Sequence, residues 1–344
     1  MTSQTVLVTG GSGFVAGHVI LQLLDAGFTV RTTVRSLARE DAVRRVLGDA
    51  GMTRGDRLTF VAADLLDDAG WGAAVAGVDT VVHVASPVVP GHVDDERRVI
   101  EPAVDGTVRV LRAARDAGVR RVVLTSAFHA VSWGHPHDGR VFTDDDWSDL
   151  DGPGVDAYAK SKTLAERAAW DLVASDGGSM ELTTMLPVAV MGPVMGDDIS
   201  GSNGIVRGML AGAMPRLPDM YLPIVDVRDV AAAHVAAITV PAAAGQRFLL
   251  SNGPVVALGE IGAILRSNLG GDAARVPTRT IPDVVVRLAA VFSPRFRALV
   301  PDLGHRKQTS NQKARRILGW EPRPAEEAIL AAAESMVSRQ LVGR

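Results

Sequence analysis

Two residues four positions apart, Tyr158 and Lys162, carry the clearest chemical signal in this sequence. Side chains at this spacing project from the same face of a helix, about one turn apart, so a phenol and an ammonium can meet one ligand. With 2 tyrosines and 4 lysines among 344 residues, chance gives a tyrosine such a partner with a probability of about 2 × 4/344, or roughly two per cent. The alternative is a solvated helix face on which the tyrosine is incidental. We predict that Tyr158 and Lys162 are catalytic.

This pair suits the transfer of a proton to a carbonyl oxygen while a hydride reaches the carbonyl carbon. A free phenol has a pKa of roughly 10, and an adjacent ammonium and a positive nicotinamide both favour the phenolate. We therefore expect the pKa of Tyr158 to be lowered towards neutral pH. A hydroxyl at the end of a strand should hydrogen-bond the substrate oxygen, and the stretch from Thr125 to Val131 is expected to supply it.

A glycine-rich turn near the start of the chain predicts a nucleotide site. The apolar run 6–8 breaks into glycines and is followed by apolar residues at helical spacing, which indicates a strand, a tight turn and a helix. Gly10 and Gly13 have no Cβ to hold a diphosphate away from the backbone and from the free N–H groups of the helix. A turn needed only for packing is the alternative. The predicted contacts here are Gly10, Ser12, Gly13, Phe14 and Val15.

The segment after the second strand indicates which dinucleotide binds. An NAD site usually places an acid there to hold the ribose 2′-hydroxyl, whereas residues 28–39 contain no acid and three arginines, Arg31, Arg35 and Arg39. Arg35 is expected at the strand end, with Arg39 one turn further on. The alternative is that these are ordinary surface arginines. The sequence predicts NADP(H), held by Arg35 and Arg39.

Residues just past the next two strands complete the predicted cofactor contacts. Asp64 and Leu65 are placed to meet the adenine, although Asp64 could also serve as a helix N-cap. Val84, Ala85 and Ser86 follow the fourth strand, and their small side chains let the backbone approach a ribose.

Strands that alternate with helical segments must position these groups. Five near-continuous apolar runs end near residues 34, 63, 85, 125 and 186, which is typical of a parallel sheet covered on both faces. We predict an α/β fold: a Rossmann-type doubly wound parallel sheet with a smaller C-terminal substrate-binding lobe. The expected division is 1–187 for the cofactor domain, with part of 223–252 packing back onto it, and 188–222 with 253–344 for the lobe.

Composition excludes several classes of function. A content of 47% apolar and 22% charged residues is that of an ordinary globular protein, and the net charge of −3 makes nucleic acid a poor partner. The chain has no cysteine, and its 8 histidines lack metal-site spacing, so we expect no metal. No leader and no apolar run of the roughly 18 residues that a membrane span needs are visible. We expect a cytoplasmic monomer or homodimer that acts on a small molecule.

Several stretches together resemble one enzyme family. They are the turn from Thr9 to Ala16, 30–35, 83–87, Tyr158 with Lys162, Pro187 with 192–193, 225–230, and 318–320. The chain resembles an extended short-chain dehydrogenase/reductase of the dihydroflavonol reductase, cinnamoyl-CoA reductase and aldehyde (methylglyoxal) reductase group.

The resemblance implies roles for individual residues. Arg35 would hold the 2′-phosphate, Asp64 and Leu65 the adenine, and Lys162 the nicotinamide ribose. Tyr158 would be the proton donor, and the carboxamide edge would lie against Pro187 and Val188. Members of this group commonly read Thr-Ser-Ser where this chain reads Thr125-Ser126-Ala127, so the usual substrate-contacting serine is missing. Ser126 is the predicted replacement, with Thr125 or a water as alternatives.

The part of the chain after residue 187 is expected to shape the substrate pocket. Six methionines fall between residues 185 and 220, which suits either a pocket for bulky apolar ligands or ordinary core filling. The stretches 87–90 and 128–137 are the other predicted walls, and Trp320 is a predicted core anchor.

These features predict NADPH-dependent reduction of a ketone or aldehyde by an oxidoreductase. One alternative is a nucleotide-sugar epimerase or dehydratase with tightly held NAD. The other is a non-catalytic sensor that binds a dinucleotide.

Overall fold

Seven parallel strands form the central sheet of the computed structural model, which describes residues 4–87, 95–177, 180–199, 201–297 and 299–343. The spatial order is β10-β7-β5-β4-β1-β2-β3, so the direction of winding reverses between β1 and β4. Ligands bind at such a reversal, beyond the carboxyl ends of the strands. The doubly wound α/β prediction is confirmed. The strands are β1 (Thr5–Val8), β2 (Thr29–Val34), β3 (Leu58–Ala62), β4 (Thr80–His83), β5 (Arg121–Thr125), β7 (Glu181–Pro187) and β10 (Arg247–Leu250).

Helices cover both faces of this sheet because successive side chains of a buried strand point to opposite sides. In β1, Val6 and Val8 enter the core on one side and Leu7 the core on the other. The first side carries α1, α2, α7 and α11, and the second carries α3, α4 and α5. Their bounds are α1 (Phe14–Asp25), α2 (Glu40–Asp49), α3 (Trp71–Val75), α4 (Arg97–Asp116), α5 (Ala157–Ser175), α7 (Val227–Thr239) and α11 (Gln312–Leu318).

A smaller body packs beyond the end of β7. Its sheet has the order β11-β9-β8, with β8 parallel and β11 antiparallel to β9. Helices α6, α8 and α12 share its apolar core, and a two-stranded sheet pairs β12 with β6. The remaining elements are β6 (Val141–Phe142), β8 (Ala189–Met191), β9 (Tyr221–Asp226), β11 (Asn252–Ala257), β12 (Gln308–Thr309), α6 (Asn203–Leu210), α8 (Leu258–Leu269), α9 (Asp283–Ala290), α10 (Pro294–Arg297) and α12 (Ala325–Ser338). The predicted division into a cofactor domain and a lobe stays a prediction.

The structure confirms the predicted role of Trp320 and corrects the predicted end of the fourth strand. Trp320 is an anchor as predicted, because it is 4% exposed and its indole N–H donates to the Asp229 carbonyl at 2.8 Å. The fourth strand ends earlier than expected, at His83, because the backbone N–H groups of Val84 and Ala85 bond to Thr9 Oγ1 instead of continuing the ladder. No helix within the described ranges is long and apolar enough to cross a membrane.

The methionine cluster serves mainly as core. Met185, Met191 and Met209 are fully buried and Met195 is 9% exposed, whereas Met220 lines the cleft described below. Met214 packs at the edge of the smaller core. The pocket interpretation therefore holds for Met220 alone among the six.

Candidate active site

A cleft of about 1150 Å³ lies at the carboxyl ends of the parallel strands, between the large sheet and the smaller body. Elements far apart in the chain reach it, since each strand of a parallel sheet ends at the same edge. All the residues predicted for the cofactor and for catalysis line this one cleft: Gly10, Ser12, Gly13, Phe14, Val15, Arg35, Arg39, Asp64, Leu65, Val84, Ala85, Ser86, Ser126, Tyr158, Lys162, Pro187 and Val188.

The glycine turn forms one end of the cleft. Gly10 has a φ of +75°, and a Cβ there would lie 3.0 Å from the Cβ of Ala85. A Cβ on Gly13 would lie 3.1 Å from the Gly10 carbonyl oxygen. Helix α1 follows with no side-chain cap and no acid in its first turn, so its first N–H groups stay available to an anion. This cradle, which side chains would fill, fits a dinucleotide diphosphate.

The three arginines in and after β2 have two different roles. Arg31 is used structurally, because its guanidinium donates to the carbonyl oxygens of Ala74 at 2.9 Å and Ala76 at 2.7 Å at the end of α3. Arg35 and Arg39 are exposed at the cleft and form no ion pair with any residue that the structure describes. The next acid along the chain, Glu40, bonds to Arg44 at 2.8 Å. The cleft therefore offers two uncommitted cations at this point.

Asp64 and Leu65 follow β3, the neighbour of β2 in the sheet, and line the same cleft as the arginines. The Asp64 side chain accepts from the Leu66 N–H at 3.1 Å, which closes a local turn. It caps no helix, because α3 begins at Trp71 after Gly70. Leu65 packs on α4, where a Cβ on Gly106 would lie 3.0 Å from the Leu65 Cβ.

Helix α5 carries Tyr158 and Lys162 into the middle of the cleft. Asp156 caps the helix by accepting from the Ala159 N–H at 2.8 Å. Lys162 Nζ lies 5.6 Å from the centre of the Tyr158 ring and donates to Ser86 Oγ at 2.8 Å. Lys160 points elsewhere, as its place on the helix predicts, and pairs with Glu96 at 2.7 Å.

Burial dominates the acidity of this pair. It lowers the pKa of the Lys162 ammonium to about 8. It raises the pKa of the Tyr158 phenol to about 12, with a further upward contribution from Asp156. The protein alone therefore does not lower the Tyr158 pKa as expected, since desolvation of the phenolate and the negative charge of Asp156 both raise it. The phenol is a protonated group at neutral pH, which suits proton donation.

The two hydroxyls at the end of β5, those of Thr125 and Ser126, bond to buried protein groups. Ser126 Oγ donates to Glu166 Oε2 at 2.7 Å, inside the core. His234 Nδ1 lies 2.7 Å from the Val230 carbonyl oxygen and must donate there, so its Nε2 accepts from Thr125 Oγ1 at 2.8 Å. Neither hydroxyl proton faces the cleft. The proposed contact of Ser126 with substrate stays a prediction, and this geometry opposes it.

The part of the cleft beside Tyr158 contains polar residues that the sequence did not single out. His129 stacks on Trp133 with ring centres 3.6 Å apart, and Lys307 Nζ lies 3.5 Å from the centre of the Trp133 indole. Lys307 also donates to Asp302 Oδ1 at 2.9 Å. The sequence could have marked Lys307 as unusual, because it is one of only four lysines in an arginine-rich chain. Of the predicted walls, Pro87 and parts of 128–137 line the cleft, whereas residues 88–90 lie outside the described residues.

Comparison with known proteins decides the family. The sequence profile of the NAD dependent epimerase/dehydratase family matches residues 6–250. The chain belongs to this family. The profile extends from residue 6 in β1 to residue 250 at the end of β10, so it spans all but the first residue of the parallel sheet.

Several proteins similar to this chain are reductases by name. The chain is 37% identical over 253 residues to cinnamoyl-CoA reductase 1 of Arabidopsis thaliana, covering 72% of this chain and 70% of that one. It is 34% identical over 270 residues to dihydroflavonol 4-reductase of Zea mays, covering 76% and 73%. The crystal structure of yeast methylglyoxal/isovaleraldehyde reductase Gre2 complexed with NADPH matches with a TM-score of 0.81 at 25% identity, covering 98% of this chain and 99% of that one. The predicted membership of this group and the prediction of a nicotinamide cofactor are confirmed.

Proposed function

We propose that this protein reduces a ketone or aldehyde to an alcohol with NADPH, with Tyr158 as the proton donor. The observation that carries the proposal is the arrangement of Tyr158, Lys162 and Ser86 in the same cleft as the glycine cradle. The names of the relatives, which include reductases of cinnamoyl-CoA, dihydroflavonol and methylglyoxal, support a carbonyl substrate.

NADPH, when bound, supplies the hydride. The Tyr158 phenol then gives its proton to the carbonyl oxygen as negative charge develops there, which leaves a phenolate in the protein. Lys162 offsets this new charge, because its buried ammonium lies 5.6 Å from the centre of the phenol ring. Ser86 holds the ammonium in place by accepting a hydrogen bond from it at 2.8 Å. Each donor is in position before the reaction begins.

Arg35 and Arg39 support NADPH over NADH. A 2′-phosphate carries the charge that two exposed, unpaired guanidinium groups at the end of β2 can bind with several hydrogen bonds. The same position in an NAD site usually carries an acid. This difference also favours the reductase over the NAD-dependent epimerase or dehydratase.

The substrate end of the cleft favours an apolar or aromatic carbonyl compound. Trp133, Met220, Tyr221 and Leu222 line it, together with Val190. These side chains give a substrate apolar contact area, and the aromatic rings can stack on a planar group.

The proposal is tested by following NADPH oxidation with a panel of aliphatic and aromatic aldehydes and ketones, and by repeating the panel with NADH. We expect carbonyl-dependent oxidation of NADPH, and at least about tenfold weaker use of NADH. Tight retention of NAD with no carbonyl-dependent turnover would favour the epimerase or dehydratase. Binding of NADPH without turnover of any carbonyl would favour the sensor.

A further inference from the structure

The reaction proposed above needs a second hydrogen-bond donor at the carbonyl oxygen, and the end of β5 offers no free hydroxyl for it. Thr125 donates to His234, Ser126 donates to Glu166, and Ala127 has no polar side-chain atom. A developing negative charge on oxygen is best stabilised by donors that are already in place. The second donor must therefore come from another group near Tyr158.

His129 is the next polar side chain along the chain, and the local fold turns it into the cleft. A short 3₁₀ helix (Phe128–Ala130) follows β5. It directs Phe128 into the core, where the ring is 4% exposed, and leaves His129 half-buried at the cleft surface. The backbone at this point is fixed, because the His129 carbonyl oxygen accepts from Ser148 Oγ at 2.7 Å.

The imidazole is held between two aromatic rings. It stacks on Trp133 at an interplanar angle of 20°, and it meets the Tyr158 ring edge to face, with ring centres 4.8 Å apart. These contacts fix the plane of the imidazole beside the phenol without using its nitrogen atoms. A group in this position needs little reorganisation to meet the atom that Tyr158 protonates.

Neither ring nitrogen of His129 has a hydrogen-bond partner among the described residues. Other histidines do have partners: His18 bonds to the Pro193 carbonyl, His135 to the Trp147 carbonyl, and His234 to Thr125. Burial, followed by the charges of Lys307 and Lys162, lowers the pKa of His129 to about 3. The ring is therefore neutral at pH 7 and carries one N–H donor, which a neutral imidazole can use to polarise a carbonyl.

We propose that His129 donates this N–H to the carbonyl oxygen of the substrate and so replaces the hydroxyl that the strand end lacks. The proton that His129 carries stays on the ring. The oxygen receives its proton from Tyr158, and the carbon receives the hydride. This proposal rests on the proposed function, because it assigns a second contact to the same oxygen.

His129→Phe tests the proposal, since it keeps an aromatic ring to stack on Trp133 and removes the donor. Its kcat is measured on the carbonyl that the wild-type protein reduces fastest, together with NADPH affinity and thermal stability. We expect kcat to fall about 10²- to 10³-fold, as for the loss of one donor to a developing oxyanion, with NADPH affinity unchanged within about twofold. His129→Gln restores an N–H at a similar distance and should recover at least about tenfold of the loss. Adding Ala127→Ser to His129→Phe restores a hydroxyl at the strand end and should recover activity as well.

Three results would overturn the assignment. The first is a kcat of His129→Phe within about threefold of wild type. The second is a loss that neither His129→Gln nor the added Ala127→Ser recovers, which would mark a packing role. The third is a large loss in Trp133→Phe with none in His129→Phe, because the donor would then be the Trp133 indole. If His129→Phe retains the kcat of the wild-type protein while Tyr158→Phe is inactive, only this inference fails. If the wild-type protein reduces no carbonyl, the proposed function fails and this inference fails with it.

Discussion

The two halves of helix α5 use ionisable groups in opposite ways. In its first half, Tyr158 and Lys162 face the cleft with few protein partners. Burial raises the pKa of the Tyr158 phenol and lowers that of the Lys162 ammonium, so it favours the neutral form of each. Two turns after Tyr158, Glu166 is 1% exposed, and both of its carboxylate oxygens accept hydrogen bonds from protein groups. The three residues lie at i, i+4 and i+8, so one helix face carries the cleft-facing pair and then the buried carboxylate.

The buried Glu166 carboxylate has its hydrogen-bonding capacity met by several side chains. Its carboxylate accepts from Ser126 Oγ at 2.7 Å, Thr184 Oγ1 at 2.8 Å and Arg247 Nε at 2.8 Å. Arg247 in turn donates to the Asp144 carbonyl oxygen at 2.7 Å. A buried charge is stable only when its hydrogen-bonding capacity is met in this way, whereas a reactive group needs capacity left for substrate. The comparison therefore predicts that the same kind of substitution has opposite effects in the two halves.

The largest effect on stability is expected for Glu166→Ala. It leaves the Arg247 guanidinium buried without its carboxylate, which should lower the free energy of unfolding by about 3–5 kcal/mol in a denaturant titration. The matched control is Glu40→Ala, because Glu40 and Arg44 form a partly exposed i,i+4 pair, also at 2.8 Å, and its loss should cost at most about 0.5 kcal/mol. Equal effects of the two substitutions would contradict a structural role for the buried pair.

Lys162→Met should stabilise the protein while it abolishes turnover. The pKa of Lys162 is about 8 in the folded protein instead of 10.5, so at pH 7 the buried ammonium costs about 3 kcal/mol. Between pH 8 and 10.5 the unfolded chain binds this proton and the folded chain does not, so wild-type stability rises relative to the variant and the gain from methionine disappears. Unfolding titrations at pH 7 and pH 10 measure this change.

Lys160→Met is the control for that experiment. Lys160 lies two residues earlier on α5 and pairs with exposed Glu96, so its loss should change stability by less than about 1 kcal/mol at either pH. A Lys162→Met protein less stable than wild type at pH 7 would show that burial of the Lys162 charge does not destabilise the folded protein.

Arg35→Ala should weaken NADPH binding by about tenfold or more and leave NADH binding unchanged within about twofold, because only NADPH carries the 2′-phosphate. Fluorescence titration with both cofactors measures the ratio. Arg45→Ala, which removes the same charge from an exposed position on α2 outside the cleft, is the control. A parallel loss for both cofactors would remove the assigned phosphate contact.

The smallest effect on turnover is expected for Ser126→Ala. If the hydroxyl serves Glu166, stability should fall by about 1.5–3 kcal/mol, as for a hydrogen bond to a charged group, and kcat should stay within about threefold. A fall in kcat of about 100-fold with unchanged stability would instead support the predicted contact of Ser126 with substrate.

Local patterns in the sequence predict much of this molecule. The bounds of β2 and β5 match the apolar runs, and Tyr158 with Lys162 follows from helical spacing alone. The partners of Glu166 could not be predicted, because Arg247 lies 81 residues away in sequence and reaches it only across the packed sheet. The direction of the Ser126 side chain was equally hidden, since a strand that ends one residue earlier or later turns a side chain to the other face. The sequence did not mark His129 as a donor, because its position in the cleft depends on how the Trp133 and Tyr158 rings pack against it.

The central claim is that the Tyr158 phenol delivers the proton, and Tyr158→Phe tests it most directly. The measurement is single-turnover oxidation of bound NADPH by a carbonyl that the wild-type protein reduces, with NADPH affinity measured in parallel. The account predicts a rate at least about 10³-fold below wild type, with NADPH affinity within about twofold. A variant that oxidises NADPH at a rate within tenfold of wild type would contradict the account.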